Sequence, residues 1–261
     1  MIALFDSGVG GLSVFKELYR ILPREDYLYY SDNANCPYGE KPVQFIRERA
    51  FEISRMLMGK GAHIIVVACN TATAAAIHAL RERFDIPFIG MEPAIKPAAL
   101  QSKSKVVGVL ATAGTFKGEL YRQTSTKYAS GVTVIERVGK GLVELVEKGL
   151  TDYSHSSEAV MECIRPMLDK GADYIVLGCT HYPFLEDTIR KCAQGVGIIN
   201  PAEAVAKHTA DILQDNGYVF GNGGSLELLS SGDGSILEKM ARSLPLENGF
   251  AIVRTSTESS C

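Results

Sequence analysis

Residues 60–69 read KGAHIIVVAC, and residues 170–179 read KGADYIVLGC. The two stretches align without gaps 110 positions apart, with Lys, Gly, Ala, Ile, Val and Cys at equivalent places. Chance can match the composition of a short strand, but it rarely places a cysteine at the end of both copies. An internal repeat of this kind predicts two homologous halves.

Short apolar runs rich in β-branched residues alternate with longer amphipathic stretches on both sides of the repeat. This alternation is typical of β–α units around a mainly parallel sheet, so the sequence predicts an α/β fold. The first unit is a strand over 2–5, a glycine-rich turn, and a helix over 12–21 that Pro23 ends. The stretch LELLSS predicts a strand between two loops within 221–235. The other predicted strands are 27–30, 64–68, 88–91, 106–110, 132–138, 174–178 and 198–199.

The composition is that of a globular protein of moderate charge. The chain has 261 residues, of which 46% are hydrophobic and 22% are charged. Its length predicts one large or two modest domains, and its composition predicts a sizeable core. Lys plus Arg number 27 against 30 Asp plus Glu, giving a net charge of −3. No overall positive field would attract nucleic acid or anionic lipid, so we expect neither partner.

Neither a membrane span nor a signal peptide is evident. No stretch approaches the roughly 20 apolar residues that a spanning helix needs, and the start MIALFDSGVGG lacks a basic segment and a long apolar core. We therefore expect a cytoplasmic protein. In a reducing compartment the sparse cysteines stay thiols. They are Cys36, Cys69, Cys163, Cys179, Cys192 and Cys261.

The two repeat cysteines sit where ligands bind in open parallel sheets, outside the carboxyl ends of the strands. We expect NTATAAAIHALRERF after Cys69 and THYPFLEDTIRKCA after Cys179 to be helices, with Thr71 and Thr180 available as caps. A helix amino terminus should lower the pKa of each thiol below about 8.5. If the halves face each other about a pseudo-twofold axis, both thiols approach one cleft. That geometry suits chemistry on both faces of one carbon.

Several stretches together carry a family resemblance over nearly the whole chain. They are FDSGVGGLSV (5–14), DNANCPYG (32–39), VVACNTATA (66–74), LVEKG (145–149) and LGCTHYP (177–183). This set resembles the aspartate/glutamate racemase family, and the glutamate racemases within it. ACNTA and GCTHYP, one in each half, carry most of the specificity. The turn GVGG only loosely matches the dinucleotide fingerprint GxGxxG, and no Walker-type GKS or GKT occurs.

The resemblance implies a cofactor-independent isomerase that interconverts L- and D-glutamate, with D-glutamate used for peptidoglycan. It also implies two pseudo-symmetric α/β domains with mainly parallel sheets and the active site in the cleft between them. The first domain would comprise 1–95 plus 206–261, and the second would be 96–205. By analogy with other members, we expect a homodimer.

The resemblance also implies roles for individual side chains. Cys69 would be the base toward D-glutamate and Cys179 the base toward L-glutamate, with His181, Asp6 and Glu147 assisting the thiols. The implied substrate-binding residues are Asp6, Ser7, Tyr38, Gly39, Asn70, Thr71, Thr180 and His181. Because Glu144 precedes Glu147 at helical spacing, the choice between these carboxylates stays open.

Elementary chemistry agrees with this interpretation. Racemisation removes the α-proton from one face and returns a proton to the other, so it needs one deprotonated and one protonated group at once. Two identical residues in pseudo-equivalent places meet that need. Without a cofactor, donors must stabilise charge on the α-carboxylate, and we expect the N–H groups of the DSG turn and the hydroxyls of Ser7, Thr71 and Thr180 to do so.

Other features receive structural interpretations. We expect Cys163, Cys192 and Cys261 to be packing residues, and the loop of Cys36 to line the site without a direct role for the thiol. The glycines Gly8, Gly10 and Gly11 should serve a tight turn first. The histidines outside GCTHYP, namely His63, His78, His155 and His208, should be structural. With no CxxC pair and no zinc-finger or HExxH spacing, we expect no metal site.

Two alternatives remain open at this point. One is a racemase of aspartate or a related acid, because no residue in the sequence indicates which length of substrate side chain the site accepts. The other is a binding protein or a thiol hydrolase of similar fold. A hydrolase needs one nucleophile with a base and an oxyanion hole, which would leave the duplicated cysteine unexplained.

Overall fold

The computed structural model describes residues 1–92, 94–128, 131–218, 221 and 223–245, together with the backbone of 251–257. Its strands are β1 (Ile2–Asp6), β2 (Tyr27–Ser31), β3 (Ile64–Val67), β4 (Phe88–Gly90), β5 (Val106–Ala111), β6 (Thr133–Val138), β7 (Tyr174–Gly178), β8 (Gly197–Ile199), β9 (Ser225–Ser230) and β10 (Ala251–Thr257). Its helices are α1 (Leu12–Ile21), α2 (Val43–Gly59), α3 (Asn70–Arg83), α4 (Ile95–Gln101), α5 (Ala113–Lys117), α6 (Glu119–Tyr128), α7 (Leu142–Glu147), α8 (Tyr153–Leu168), α9 (Glu186–Cys192), α10 (Ala202–Asp215) and α11 (Ser235–Arg242).

The described strands form two parallel sheets. One has the order β10-β9-β2-β1-β3-β4, and the other has the order β6-β5-β7-β8. Each pair of neighbours in both sheets runs parallel. The prediction of an α/β fold with mainly parallel sheets is therefore confirmed. Each strand expected from the sequence is present, with ends that differ by at most one residue.

The sequence repeat is also a repeat of the fold. The order β2-β1-β3-β4 in the larger sheet matches β6-β5-β7-β8 in the smaller one. In this correspondence β3 pairs with β7, and each of the two is followed by one of the repeat cysteines. Strands β9 and β10 extend the larger sheet beyond β2 and have no counterpart. The two thiols therefore occupy equivalent positions in two related sheets.

Local sequence explains the strands and the first helix. A parallel sheet covered by helices on both faces needs strands that are apolar throughout, and all five residues of β1 are buried. The helix α1 buries Leu12, Phe15 and Leu18 on one side. The ring of Phe15 packs edge-on against Tyr27 of β2, with centroids 5.1 Å apart. The polar exception in β1 is Asp6, at its carboxyl end.

The two halves share apolar packing. One cluster of buried side chains runs from Leu4 in β1 to Leu177 in β7. Helix α10 contains residues 205 and 206, the expected domain boundary, and packs against α1. The domain limits themselves stay a prediction. Within the described part of the chain, every helix is too short or too polar to cross a bilayer.

Candidate active site

Asp6 is the fixed centre of the turn after β1. It is fully buried, and its oxygens accept hydrogen bonds from Ser7 N–H at 2.7 Å, Gly11 N–H at 2.6 Å and Thr180 Oγ1 at 3.2 Å. Burial raises the pKa of the Asp6 carboxyl above its ordinary value. Because Thr180 follows β7, Asp6 ties the two halves together at the carboxyl ends of their strands.

Cys69 caps α3 with its own side chain. Its Sγ accepts a hydrogen bond from the N–H of Ala72 at 3.5 Å and lies 4.0 Å from Ser7 Oγ. Burial, followed by the charge on Asp6, raises the pKa of the Cys69 thiol well above its ordinary value and outweighs the bond from Ala72. The expected lowering of this pKa by the helix terminus is therefore wrong. In this environment Cys69 is held as a protonated thiol.

Thr71 was expected as a cap, and the structure contradicts this. Its hydroxyl instead bonds to that of Thr112 at 2.8 Å, because the Cys69 sulfur already occupies the capping position. Thr180 is likewise no cap, since its hydroxyl donates to Asp6. Both hydroxyls therefore link the two halves rather than ending a helix.

Cys179 has a different partner from Cys69. Its Sγ lies 3.7 Å from Nδ1 of His181. The expected helix does not start directly after this thiol: a 3-10 turn over Tyr182–Leu185 comes first, with Pro183 near its start, and α9 follows. Thr180, the next residue along the chain, donates to Asp6, which lies in the turn that also carries Ser7 beside Cys69.

His181 and Glu147 form a buried pair behind Cys179. Nε2 of His181 lies 2.5 Å from Oε1 of Glu147, which also accepts a hydrogen bond from Val9 N–H at 2.8 Å. Burial alone would lower the pKa of His181, but bonds to Cys179, Cys36 and Glu147 raise it well above its ordinary value. Although burial opposes the change, the bond to His181 lowers the pKa of Glu147. The pair is therefore imidazolium and carboxylate.

The geometry distinguishes Glu147 from the other carboxylate of α7. Glu147 ends α7 and points into the site, whereas Glu144, one turn earlier, is exposed. The structure therefore places Glu147, and not Glu144, beside the thiol of Cys179.

Two glycines of the first turn make room for this pair. A Cβ on Gly8 would lie 1.9 Å from Oε1 of Glu147, and one on Gly10 would lie 2.3 Å from Nδ1 of His181. Neither glycine has a positive φ. Both glycines lie in the expected turn, but a side chain there is excluded by the approach of Glu147 and His181 rather than by the backbone conformation.

Several donors that we expected to face substrate are already engaged. The N–H groups of Ser7 and Gly11 and the hydroxyls of Ser7 and Thr180 all donate to Asp6. The N–H of Val9 donates to Glu147. In this structure these N–H groups and hydroxyls bind the protein's own carboxylates. The sequence does not show the part of this competition that involves Glu147 and Thr180, because both lie far from the turn along the chain.

Asn70, one of the predicted substrate-binding residues, has a buried side-chain oxygen without a hydrogen-bond partner among the described residues. This oxygen is Oδ1, and the side chain is 4% exposed. A buried acceptor without a partner is costly, so this atom is suited to a donor on a ligand.

Tyr38 and Gly39 lie on the loop after β2, which Asp32 holds in place. The Tyr38 hydroxyl donates to Asp32 at 2.5 Å, and Arg49 contacts the same carboxylate at 2.8 and 3.0 Å. The Tyr38 hydroxyl is therefore engaged by Asp32 rather than available to a ligand. Gly39 lies close to Thr112, because a Cβ added to the glycine would be 3.0 Å from the Cβ of Thr112.

Asp32, Thr112 and Thr115 were not predicted from the sequence. The hydroxyl of Thr112 contacts Thr71 at 2.8 Å and Thr115 at 2.9 Å, which extends the link between the halves. The sequence does carry a signal for Thr112, because LFDSG (4–8) aligns weakly with LATAG (110–114) and this pairs Thr112 with Asp6. For Asp32, the signal was its position directly after a buried strand.

The remaining cysteines divide into two groups. Cys36 is half-buried, and its Sγ lies 4.0 Å from Ser7 Oγ and within 4.8 Å of a ring nitrogen of His181. Burial raises the pKa of the Cys36 thiol to about 11. Cys163 and Cys192 pack against the main apolar cluster, and Cys261 lies outside the described residues.

The other histidines lie away from the two thiols. His63 stacks on Tyr218, with ring centroids 4.6 Å apart, and His155 pairs with Asp152 at the start of α8. His78 and His208 are exposed.

Each of the two related parallel sheets carries a thiol directly after an equivalent strand. This is the arrangement of an α/β enzyme of the two-base class. The family model for Asp/Glu/Hydantoin racemase matches residues 9–209. The chain belongs to this family. A glutamate racemase of Herpetosiphon aurantiacus is 44% identical over 253 residues, which cover 94% of this chain and 98% of the relative.

Two solved structures resemble the whole chain. Escherichia coli glutamate racemase in complex with L-glutamate and the activator UDP-MurNAc-ala has a TM-score of 0.87 and 33% identity, covering 99% of this chain and 98% of that one. Francisella tularensis glutamate racemase in complex with D-glutamate has a TM-score of 0.82 and 26% identity, covering 99% and 97%. The two-sheet fold and the family predicted from the sequence are thus confirmed.

Proposed function

We propose that this protein is a glutamate racemase that interconverts L- and D-glutamate with two thiols and no cofactor. The observation that carries the proposal is the pair of buried thiols after the equivalent strands β3 and β7. The relatives add support, because they are named glutamate racemases and share the fold over nearly the whole chain. A hydrolase or a binding protein gives no reason for a second thiol in the equivalent place.

The two thiols have different neighbours. The pKa of Cys69 is raised by burial and by Asp6, so this residue holds its proton. The Sγ of Cys179 lies instead 3.7 Å from Nδ1 of His181. We assign Cys69 as the acid and Cys179 as the base in the racemisation of L-glutamate.

The reaction follows from this asymmetry. The Cys179 thiolate takes the α-proton from L-glutamate, and the electron pair of the C–H bond moves onto the α-carbon and its carboxylate. The Cys69 thiol then delivers its proton to the opposite face and becomes a thiolate. The product is D-glutamate, and the reverse reaction starts with Cys69 as the base.

Substrate binding uses groups that the protein leaves available. The orphaned Oδ1 of Asn70 suits the α-ammonium group, which is a donor. The N–H groups of Asn70 and Thr71, at the start of α3, have no partner within the helix and suit a carboxylate. Both are adjacent to Cys69, so they would hold the α-carbon near its acid.

The choice of glutamate over aspartate rests on the relatives. The structures from Escherichia coli and Francisella tularensis contain L- and D-glutamate, respectively. Supply of D-glutamate for peptidoglycan, a cytoplasmic location and a homodimer stay predictions that the family resemblance carries.

The test is a racemisation assay on a panel of acidic amino acids. Enzyme dialysed against chelator, with no pyridoxal phosphate, flavin or ATP, is followed by circular dichroism with both enantiomers of glutamate and of aspartate. We expect full activity on glutamate and little on aspartate. We also expect Cys69→Ala and Cys179→Ala each to abolish racemisation, with Cys192→Ala as the matched control. Dependence on an added cofactor, or wild-type rates in either active-site variant, would overturn the proposal.

A further inference from the structure

Three metal-ligating atoms meet on the Cys179 side of the site. Cys36 Sγ, a carboxylate oxygen of Glu147 and a ring nitrogen of His181 all lie within 4.8 Å of one another. They come from the loop after β2, the end of α7 and the turn after β7. We propose that this trio binds a thiophilic divalent cation of the Zn²⁺ type, and that the bound ion inhibits the enzyme.

The donor set fits this class of ion. Zn²⁺ takes thiolate, imidazole and carboxylate ligands in tetrahedral sites, and three protein ligands leave a fourth position for water. A thiolate and a carboxylate also bring two negative charges, which balance the ion. Binding releases the thiol proton of Cys36 and the proton that His181 shares with Glu147, so charge and protons are conserved.

The distances require only a local adjustment. His181 Nε2 and Glu147 Oε1 are 2.5 Å apart. Two bonds of about 2.0–2.1 Å at a tetrahedral angle place such atoms about 3.3 Å apart. The pair must therefore open by somewhat less than 1 Å, while Cys36 Sγ moves inward.

The surroundings already orient the ligands. Val9 N–H donates to Glu147 at 2.8 Å, and the other ring nitrogen of His181 faces Cys179 Sγ at 3.7 Å. A ligating imidazole commonly donates its second N–H to a fixed acceptor, which sets the ring orientation. Binding through Nε2 would therefore leave Nδ1–H directed at the catalytic thiol.

Inhibition follows from what the ion removes. The ion would occupy Nε2 of His181 and a carboxylate oxygen of Glu147, and so would break the contact between these two side chains beside Cys179. This inference goes beyond the proposed function, because the racemase reaction uses no metal. Its main readout is metal binding, which does not depend on turnover.

Cobalt provides the direct probe. Metal-free protein is titrated with Co²⁺, and thiolate ligation is read from the near-ultraviolet charge-transfer band. We expect one Co²⁺ per chain with this band in the wild type, no band in Cys36→Ser, and an unchanged band in the matched control Cys192→Ser. Glu147→Gln, followed by binding alone, should weaken the complex and provides a second test if Cys36→Ser does not fold.

Zinc inhibition of racemase activity tests the functional consequence of metal binding. In Cys36→Ser, assayed against its own rate without zinc, the zinc concentration for half-inhibition should rise by roughly 100-fold or more, since a lost direct ligand costs at least as much as a lost outer contact. Absence of stoichiometric cobalt binding would overturn the proposal. So would a band that survives in Cys36→Ser and disappears in Cys69→Ser, because the metal would then sit on the catalytic thiols.

Discussion

His181 and Glu147 lie 2.5 Å apart through Nε2 and Oε1, and the other nitrogen of the same ring faces Cys179. This relationship breaks the symmetry between the two halves. Cys69 has a helix N–H and Asp6 beside it, while Cys179 has an imidazolium. Equivalent strands therefore carry thiols with different neighbours.

Glu147→Gln tests the carboxylate directly. The amide can still accept the bond from Val9 but cannot hold a positive charge on His181. We expect turnover to fall by roughly 10- to 1,000-fold. We also expect the alkaline limb of the pH–rate profile, which reports loss of the imidazolium proton, to move to lower pH. Glu144→Gln, on the exposed side of the same helix, is the matched control. Equal effects of the two changes would contradict the assignment.

His181→Asn removes the imidazolium and should lower turnover by roughly 100- to 10,000-fold. Because His181 contacts Cys179 rather than Cys69, we expect unequal losses for L- and D-glutamate as the starting enantiomer. Kinetics in both directions measure this, with circular dichroism to establish that the variant is folded. Wild-type turnover in a folded variant would exclude the role.

Gly10→Ala tests the close approach in the first turn. Its Cβ would lie 2.3 Å from His181 Nδ1, so the ring must move, and a misplacement of about 1 Å can cost about 100-fold in rate. Gly59→Ala is the control, because nothing lies within 4 Å of its Cβ position. We expect the first variant to lose activity and the second to keep it. Unchanged kcat in Gly10→Ala would show that the contact is dispensable.

Asp32 is expected to make stability depend on pH. Burial opposes ionisation, but bonds from Arg49 and Tyr38 lower the pKa of this carboxyl below its ordinary value. A lowered folded-state pKa stabilises the fold above the unfolded value of about 3.9, and this stabilisation is lost as pH falls through the folded value.

Asp32→Asn should therefore lower the free energy of unfolding by about 2–4 kcal/mol at pH 7, with a difference that shrinks below about pH 4. Glu52→Gln is the control, because Glu52 contacts the same Arg49 at 2.6 Å but is 53% exposed, and such pairs contribute less than about 1 kcal/mol. Denaturant titrations across pH measure both. A penalty for Asp32→Asn that does not change with pH would contradict the argument.

The α/β fold and the thiol pair were predictable because local sequence encodes both. The copies at 60–69 and 170–179 encode two strands and the cysteines after them, and burial on both faces makes those strands continuously apolar. The resemblance then pointed to His181 and Glu147, whose contact the structure shows.

The protonation states could not be predicted from the sequence. A helix terminus suggested a lowered pKa for Cys69, but the sequence does not show how deeply a thiol is buried or that Asp6 lies beside it. For the same reason, the donors of the first turn were assigned to substrate although Asp6 occupies them. The trio of Cys36, Glu147 and His181 could not be predicted either, because its members lie far apart along the chain.

Racemisation in D₂O tests the two-thiol claim most directly. A proton taken by Cys179 stays on the L face, while Cys69 delivers solvent deuterium to the other face. The account predicts that D-glutamate formed from L-glutamate carries deuterium at Cα and that L-glutamate recovered early carries almost none, with the converse from D-glutamate. Mass spectrometry of both enantiomers at low conversion measures this. Early deuterium in the recovered substrate from both directions would contradict it, because one base would then serve both faces.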